Sequence, residues 1–290
     1  MRDCATAHDN AVATPLQHED FESEALVRAY IINLARSPER RRHMVQQLKK
    51  TDVDYDFVEA IDGRALDLND QNLVSPTWMG KSPLWPAEPG AILSHLKAQK
   101  RILESDDDAG LVLEDDVILP ADLKTLLEAA SPHMVGAEAV LLQYFSFASA
   151  RRGEVCQFSR PGSLSLTPSS LLAFPTHLSD MAGAGAYVIT RDACERMAKT
   201  VLPIRVNLDN WEFFQKEGAF DRVRCVVPMP VRINSEFRTT IDHYEAQSLQ
   251  TRLREAIIHV PVISHALSVR RKRIMDRATR WAFVDEEPGE

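Results

Sequence analysis

The sequence predicts an α/β protein with a mostly parallel central sheet flanked by helices. Short apolar runs of strand length alternate with longer helical stretches along the chain. The first three elements follow in the order strand, helix, strand, at the spacing of a βαβ unit, whose two strands are parallel. A chain of 290 residues that is 44% hydrophobic can also bury one sizeable core without disulfides or a structural metal.

The βαβ unit begins the predicted fold. Residues 26–34 form an apolar run rich in β-formers, short enough to be a buried strand. Ser37 is the expected N-cap of a polar helix over 38–50, whose first residue is a proline. A second strand is predicted over 55–60, and the pair Asp62-Gly63 ends it in a turn.

A long loop and an amphipathic helix come next. Residues 64–87 contain two tryptophans, and a loop of this length is usually functional or disordered. Apolar side chains at helical spacing predict a helix over 90–104. The aspartates at 106–108 are expected in an exposed turn. Residues 109–113 then form a buried strand that leads directly into three acidic residues at 114–116.

The later elements are less regular, and no internal repeats occur. Residues 151–181 are polar, rich in Ser and Pro, and match neither helix nor strand periodicity. Further strands are predicted at 140–145, 183–190 and 222–227, with helices at 192–199 and from 208 onward.

The two ends of the chain differ from the middle. Residues 1–26 hold six acidic residues against one arginine and lack periodicity, which is typical of a disordered tail. We expect one main domain over 27–245 and a helical region over 246–290. Residues 268–281 carry six Arg or Lys and one Asp, with apolar side chains at helical spacing. Such a basic helix either lies on an anionic membrane surface or packs on its own domain.

Composition disfavours several classes of protein. The net charge of −8 argues against nucleic-acid binding, which needs a basic face. The four cysteines form no CxxC pair, so free thiols in a reducing compartment are expected rather than a zinc site. Neither a signal-peptide pattern nor an apolar run of membrane-spanning length occurs. We therefore expect a cytoplasmic protein, with peripheral contact at the inner membrane if the basic helix binds lipid.

The acidic residues 114–116 are the main candidate site. Three like charges at the tip of a buried strand raise one another's pKa unless a cation is present. In open α/β sheets, ligands bind beyond the carboxyl ends of the strands. Carboxylates suit Mg²⁺ or Mn²⁺, whose coordination substrate phosphates complete. The alternative is a solvated turn with helix-capping acids.

Four blocks occur in order along the chain: IINLARSPERR at 31–41, EAIDG at 59–63, GAILSH at 90–95 and LVLEDDV at 111–117. Together with 185–189 and 209–211, they resemble glycosyltransferase family 25. That family includes lipopolysaccharide and lipooligosaccharide β-galactosyltransferases and collagen galactosyltransferases. The resemblance covers roughly residues 26–240. It departs from the family pattern at Pro89, and it is absent from 146–181, where we expect acceptor recognition.

The resemblance implies a GT-A-type fold, a UDP-sugar donor (typically UDP-galactose) and inversion at the anomeric carbon. Glu114, Asp115 and Asp116 would take the place of the family's DxD motif, with Mn²⁺ or Mg²⁺ as the cofactor. Continued strand geometry would point Glu114 and Asp116 the same way and Asp115 the opposite way. Asp116 is therefore the first candidate for the metal ligand. Glu114 and Asp115 would share contacts to the ribose or to metal-bound water.

Further donor-binding candidates come from the other blocks. Arg36, Arg40 and Arg41 lie near a helix N-terminus, which favours anions, although a solvated helix face is the alternative, and the stronger one for Arg41. His95 either contacts the diphosphate or donor sugar, or makes structural hydrogen bonds. Besides Glu114 and Asp115, the candidate donor-binding residues are Asn33, Arg36, Asp62, Gly63, Ser94 and His95.

An inverting transfer needs a carboxylate that takes the proton of the acceptor hydroxyl. Asp209 is the candidate base and Glu212 the reserve. The alternative for Asp209 is a helix N-cap, a position that Asp favours. Trp211 either stacks on a sugar or packs in the core.

The leading hypothesis is an inverting, metal-dependent hexosyltransferase that moves galactose to a glycan acceptor, lipopolysaccharide or lipooligosaccharide. Its partners would be a nucleotide sugar and a glycolipid. Two alternatives stay open: a metal-dependent nucleotidyltransferase or phosphohydrolase, and a non-catalytic relative that binds nucleotide sugars. The first alternative lacks support, since no Walker-type glycine loop occurs.

Overall fold

The computed structural model describes residues 27–78, 87–146, 155–234, 236–237 and 279–287. The predicted acidic tail at 1–26 and most of the predicted basic helix lie outside these residues. The described elements of the first half are β1 (Arg28–Asn33), α1 (Pro38–Leu48), β2 (Tyr55–Glu59), a 3₁₀ turn (Gly63–Ala65), α2 (Ala87–Glu104), β3 (Ala109–Glu114), β4 (Val117–Ile118), α3 (Leu123–Ala130) and a 3₁₀ turn (Ser131–His133).

The second half contributes shorter strands and two helices. Its described elements are β5 (Glu138–Leu141), β6 (Phe145–Ser146), β7 (Cys156–Ser159), β8 (Leu164–Thr167), β9 (Ser170–Ala173), a 3₁₀ turn (Leu178–Asp180), β10 (Met181–Ala182), β11 (Ala186–Thr190), α4 (Arg191–Thr200), α5 (Trp211–Lys216), β12 (Arg222–Val227), β13 (Arg232–Ile233) and β14 (Trp281–Val284).

Eight strands form the central sheet, in the order β2-β1-β3-β11-β5-β12-β9-β8. β1 pairs in parallel with both β2 and β3, as the βαβ pattern predicts. β11 is antiparallel to β3 and β5, and β9 is antiparallel to β12 and β8. Six of the eight strands therefore run in one direction, and the predicted α/β fold with a mostly parallel sheet, compatible with the GT-A type, is confirmed.

The sheet is covered on both faces. Along β1, Tyr30 and Ile32 pack into one core cluster, while Ala29 and Ile31 pack into the other. Side chains of α2 and α4 belong to the first cluster, and side chains of α1 and α3 belong to the second. Burial on both faces explains why the strands are continuous apolar runs rather than alternating patterns.

Several element boundaries differ from the sequence prediction. α2 is described from Ala87, three residues before the predicted start, because a proline such as Pro89 is tolerated in the first helical turn. The strand predicted over 140–145 ends at Leu141, because the backbone turns there and the N–H groups of Leu142 and Gln143 both donate to the carbonyl of Ala186. Ser37 precedes α1 without a capping hydrogen bond from its side chain.

The unassigned stretch 151–181 supplies three strands in its described part. β9 pairs with β12 and extends the central sheet, and β8 forms its edge. β7 pairs in parallel with β14. Alternation is hard to detect in strands of four residues.

The C-terminal prediction is wrong at Trp281 and Ala282. Both belong to β14, whose register places Trp281 opposite Cys156 of β7, so they extend a strand rather than end a helix. Phe283 packs against Phe158 with ring centroids 6.3 Å apart. Tertiary pairing with an available strand edge overrides local helical spacing here. No helix in the described part of the chain is long and apolar enough to cross a membrane.

Candidate active site

The candidate site lies at one edge of the central sheet. β1 and β3 end there at Asn33 and Glu114, and the antiparallel β11 begins there, just after Gly185. The backbone N–H of Glu114 donates to the carbonyl of Gly185 over 2.9 Å. Three chain segments therefore meet at this edge: those that follow β1 and β3, and the one that precedes β11. In α/β proteins, ligands bind at this edge of the sheet.

Asp115 is the centre of a buried network of polar side chains. Its Oδ1 accepts a hydrogen bond from Arg40 over 2.8 Å, and its Oδ2 accepts one from the amide of Asn33 over 2.7 Å. Asp115 is 7% exposed and Arg40 is 5% exposed. Buried charges need such pairing, so these contacts join α1 to the ends of β1 and β3. Contacts of Asn33 and Asp115 with a donor stay predictions.

The three acidic residues do not continue the strand. β3 ends at Glu114, and residues 115–116 form a turn before β4. Arg40 contacts Asp115 and also approaches Oδ2 of Asp116 at 3.5 Å, so these two carboxylates share one guanidinium. The expected alternation, with Asp115 pointing away from Glu114 and Asp116, is therefore wrong, because it requires extended geometry through all three residues.

Glu114 faces a different group, the imidazole of His95 on α2. Nε2 of His95 lies 3.4 Å from Oε1 of Glu114, and Nδ1 lies 3.0 Å from the hydroxyl of Tyr187 on β11. The amide nitrogen of Gln99 donates to the same hydroxyl over 3.1 Å. Burial raises the pKa of Tyr187 well above its usual value, so the phenol keeps its proton. His95 is 1% exposed, which places it behind Glu114 rather than on the surface of the site.

Ser94 and Gly63 hold α2 against the loop after β2. The Ser94 hydroxyl donates to the carbonyl of Gly90 over 2.6 Å and accepts from the N–H of Ile61 over 2.8 Å. A Cβ on Gly90 would lie 2.6 Å from the backbone nitrogen of Gly63. The two glycines therefore permit a close backbone approach, which is one reason a fold keeps glycine at such positions.

Asp62 lies on the exposed rim between two arginines. It pairs with Arg36, and it accepts hydrogen bonds from the side chain of Arg64, one of them over 2.6 Å. The hydrogen bond from Arg64, assisted by the charge of Arg36, holds the pKa of Asp62 well below its usual range. Asp62 also accepts from the backbone N–H of Arg64 and so begins the 3₁₀ turn, the local role that the turn prediction gave it. Sequence reasoning did not single out Arg64.

Asp209 lies at the same edge of the sheet. Its Oδ2 accepts a hydrogen bond from the N–H of Gly183 over 3.0 Å. Burial raises the pKa of Asp209, and the negative charge of Glu114 raises it further, while hydrogen bonds from backbone N–H groups oppose the rise. Asp209 does not cap α5, because Asn210 takes that role and accepts from the N–H of Phe213.

The other candidates around α5 have structural contacts. Glu212 forms an ion pair with Lys216 one turn later, at 2.8 Å. Trp211 is 1% exposed, donates from its indole N–H to the carbonyl of Gly183, and meets the Tyr187 ring edge-on with centroids 5.4 Å apart. Of its two predicted roles, Trp211 therefore takes core packing.

Three residues with roles at the site were not found from the sequence. Gln143 is 2% exposed, and its Oε1 accepts from the N–H of Gly185 over 3.1 Å. The ring of Phe237 lies 5.3 Å from the Arg40 guanidinium carbon, and the N–H of Asn234 donates to the carbonyl of Asp116. None of them belongs to a motif, so no pattern along the chain marks them. Arg41 stacks on Phe57 at 3.7 Å, in agreement with the helix-face alternative.

Among the described residues, no three His, Cys, Asp or Glu side chains come together closely enough to hold a metal ion by themselves. At the turn, the side chain of Glu114 is 39% exposed and that of Asp116 is 17% exposed.

Comparisons with known proteins agree with the blocks found in the sequence. The profile described as "Glycosyltransferase family 25 (LPS biosynthesis protein)" matches residues 27–211. Over 95 residues, 30% of the chain, it is 30% identical to "Procollagen galactosyltransferase 2" of Homo sapiens and 32% identical to "Glycosyltransferase 25 family member" of Aedes aegypti. The chain spans only about 15% of the length of these relatives.

Among solved structures, "Crystal Structure of A197 from STIV" aligns with a TM-score of 0.36 and 14% identity, over 69% of this chain and 81% of that one. Because the family profile covers well over half of the chain, the predicted resemblance is confirmed, and the protein belongs to glycosyltransferase family 25.

Proposed function

We propose that the protein is an inverting hexosyltransferase that moves galactose from a UDP-sugar to a hydroxyl group of a glycan acceptor. One observation supports this most strongly: Asp209 accepts a hydrogen bond from the N–H of Gly183 at the sheet edge where Glu114 lies, and burial together with the charge of Glu114 raises its pKa. A base and an acidic donor-side cluster at one sheet edge are what an inverting transfer needs. The names of the relatives support galactose as the sugar.

Asp209 is suited to act as the base. The N–H of Gly183 donates to Oδ2, and Oδ1 would receive the proton of the acceptor hydroxyl. As the acceptor oxygen bonds to the anomeric carbon, the bond from that carbon to the diphosphate breaks, UDP leaves with the electron pair, and Asp209 takes the hydroxyl proton. A carboxylate whose pKa is raised accepts a proton more readily than an ordinary one, provided that it is ionised at the working pH.

Glu114 and Asp116 fit a divalent cation with the donor diphosphate. Both oxygens of Asp115 accept hydrogen bonds inside the protein, whereas the side chains of Glu114 and Asp116 are 39% and 17% exposed and would face the donor. Mg²⁺ and Mn²⁺ bind through one or two carboxylates plus substrate phosphates, and when bound they stabilise the charge of the departing diphosphate.

The rim supplies the remaining donor contacts in this proposal. Arg36 and Arg64 place two guanidinium groups beside Asp62, close to the start of α1. An anionic diphosphate or an anionic acceptor is attracted to such a group. Asn33, Gly63 and Ser94 would act by shaping the pocket, because each is held by contacts inside the protein.

The proposal extends to the acceptor and to the place of action. The family description names lipopolysaccharide biosynthesis, which favours a lipopolysaccharide or lipooligosaccharide acceptor at the cytoplasmic face of the inner membrane. Contact of the basic residues 268–280 with anionic lipid is part of this proposal, as are the domain limits 27–245 and 246–290.

Donor turnover tests the proposal. Purified protein with Mn²⁺ should release UDP from UDP-galactose faster than from other UDP-sugars, and EDTA should abolish the release. Asp209→Asn should lower kcat by at least about 100-fold, since general base catalysis contributes roughly that much. Glu212→Gln is the matched control and should stay within about threefold, because Glu212 pairs with Lys216.

Several outcomes would count against the proposal. Release of UDP that is equally fast in Asp209→Asn would remove Asp209 from the mechanism. Binding of UDP-galactose without turnover on any glycan acceptor would favour a non-catalytic relative. Hydrolysis of nucleoside triphosphates in place of sugar transfer would favour the phosphohydrolase alternative.

A further inference from the structure

We propose that Tyr187 and His95 are positioning residues, which hold the carboxylate of Glu114 in place through a directed chain of hydrogen bonds. The inference rests on the proposed function for its effect on donor binding, but the chain itself is defined by contacts of this structure. It runs from Gln99 through Tyr187 and His95 to Glu114.

The direction of the chain follows from the orientation of the Gln99 amide. In this structure its nitrogen donates to the Tyr187 oxygen over 3.1 Å, so the Tyr187 hydroxyl hydrogen is available for another acceptor. The nearest ring nitrogen is Nδ1 of His95, at 3.0 Å. The geometry therefore makes Tyr187 the donor and Nδ1 the acceptor.

The tautomer of His95 follows from this direction. A neutral imidazole that accepts at Nδ1 carries its hydrogen on Nε2, and Nε2 lies 3.4 Å from Oε1 of Glu114. The opposite tautomer would place the lone pair of Nε2 against a carboxylate oxygen and leave the Tyr187 hydroxyl hydrogen without an acceptor. Both consequences are unfavourable inside a protein.

Packing fixes the ring in this position. His95 is 1% exposed and lies nearly parallel to the Tyr187 ring, at 15° with centroids 5.7 Å apart. Trp211 contacts the Tyr187 ring edge-on. Glu114, by contrast, is 39% exposed at its side chain, so His95 is the rigid partner and Glu114 is the group that needs to be held.

Gln99 supports the interpretation through an unusual feature. Its Oε1 is buried without a hydrogen-bond partner among the described residues. Turning the amide around would let Oε1 accept from the Tyr187 hydroxyl, but it would leave the amide nitrogen at the position where Oε1 has no partner. One amide group is therefore unpaired in either orientation, and only the observed orientation lets Tyr187 donate to His95.

A binding measurement tests the effect on Glu114. Tyr187→Phe removes one hydroxyl and keeps the ring, and calorimetry should show a 10- to 100-fold weaker Kd for UDP with Mn²⁺, roughly the effect of losing a partner behind a metal ligand. The matched control is Tyr144→Phe. Tyr144 is also fully buried, and its hydroxyl donates to the backbone carbonyl of Val226. The control should stay within twofold, while both variants lose a similar 2–4 °C of Tm, roughly the effect of one hydrogen bond.

A spectroscopic measurement tests the chain without ligand or turnover. In protein labelled with ¹⁵N-histidine, long-range ¹H–¹⁵N spectra should show the Nε2–H tautomer for His95, with His95→Gln identifying the resonance. Glu114→Gln should shift the Nε2 signal, and Tyr187→Phe should shift the Nδ1 signal. An Nδ1–H tautomer in the unaltered protein, or equal Kd values for Tyr187→Phe and Tyr144→Phe, would overturn the inference.

The two measurements separate this inference from the proposed function. If the unaltered protein binds no UDP with Mn²⁺, the proposed function fails, and the ¹⁵N shifts in Glu114→Gln alone decide whether His95 holds Glu114. If binding and turnover occur but Tyr187→Phe behaves like its control, the positioning role fails and the proposed function stands.

Discussion

At the scale of single residues, burial decides which acidic groups can do chemistry. Asp115 pairs with Arg40 and accepts a hydrogen bond from Asn33, and Asp62 is paired with two arginines on the rim. Asp209 accepts hydrogen bonds from backbone N–H groups, and burial raises its pKa. A carboxyl in that situation is the usual form of a tuned base, because desolvation makes the neutral form more favourable.

The raised pKa of Asp209 predicts a pH dependence with a definite sign. As the proposed base, Asp209 has to be ionised, so kcat/KM should fall as the pH drops through a value above 3.8, the ordinary value for aspartate. Stability should move the other way. Because the folded state holds this proton more tightly than the unfolded state, the contribution of Asp209 to stability decreases as pH rises through the raised pKa.

Asp209→Asn checks both parts of that prediction. Asparagine keeps an oxygen for the N–H of Gly183 and cannot ionise, so the Tm of the variant minus that of the unaltered protein should grow from near zero at low pH as the pH rises. Melting curves between pH 3 and pH 8 measure this difference. The raised pKa would be contradicted if the Tm of the variant minus that of the unaltered protein were smaller at neutral pH than at acid pH.

At the scale of elements, the contact between α2 and the loop after β2 sets the position of His95. Gly90→Ala places a methyl group 2.6 Å from the nitrogen of Gly63, and neither backbone can yield without moving the helix. Alanine is the better helix former, but overpacking of this kind costs about 1–3 kcal/mol and should win. We expect urea unfolding to show that loss, together with a fall in kcat/KM.

Gly218→Ala is the control for that prediction. Gly218 has φ +81 and open space around it, so alanine there should cost about 1–2 kcal/mol of backbone strain and leave kcat/KM unchanged. If both variants lose stability and neither loses activity, the position of α2 does not govern the site.

At the scale of the whole molecule, the candidate site and a buried ion-pair cluster lie at opposite edges of the sheet. Glu138, at the start of β5, is fully buried and pairs with Arg224 and Arg222 of the neighbouring β12. Glu138→Ala leaves Arg224 buried without its carboxylate and should lower the free energy of unfolding by about 3–5 kcal/mol. The KM for the donor should not change in the folded fraction, because the site lies at the opposite ends of the strands.

Urea denaturation followed by tryptophan fluorescence measures that loss. Lys124→Ala, which removes the exposed pair with Asp52, should cost less than about 1 kcal/mol. Equal losses for the two variants would show that burial does not govern the strength of these pairs.

The sequence by itself determined the class of fold and predicted a candidate site at the carboxyl ends of the strands. Apolar runs at 26–34 and 109–113 and the helix between the first two strands predict a parallel sheet, and the order of four blocks predicts the family. These features are local, so the spacing and composition of residues along the chain are enough to predict them. The predicted limits of helices and strands were wrong where contacts with distant strands decide the local structure, as at Trp281 and Leu142.

Only the tertiary structure decided which of the candidate site residues contact one another. Arg40 meets Asp115 from 75 residues away, and His95 meets Tyr187 from 92 residues away. Such partners are brought together by strand register and helix packing, which leave no repeating signal in the chain. The raised pKa of Asp209 likewise depends on burial that the completed sheet and α5 create. Charge pairing and desolvation are properties of the folded site, and no residue carries them alone.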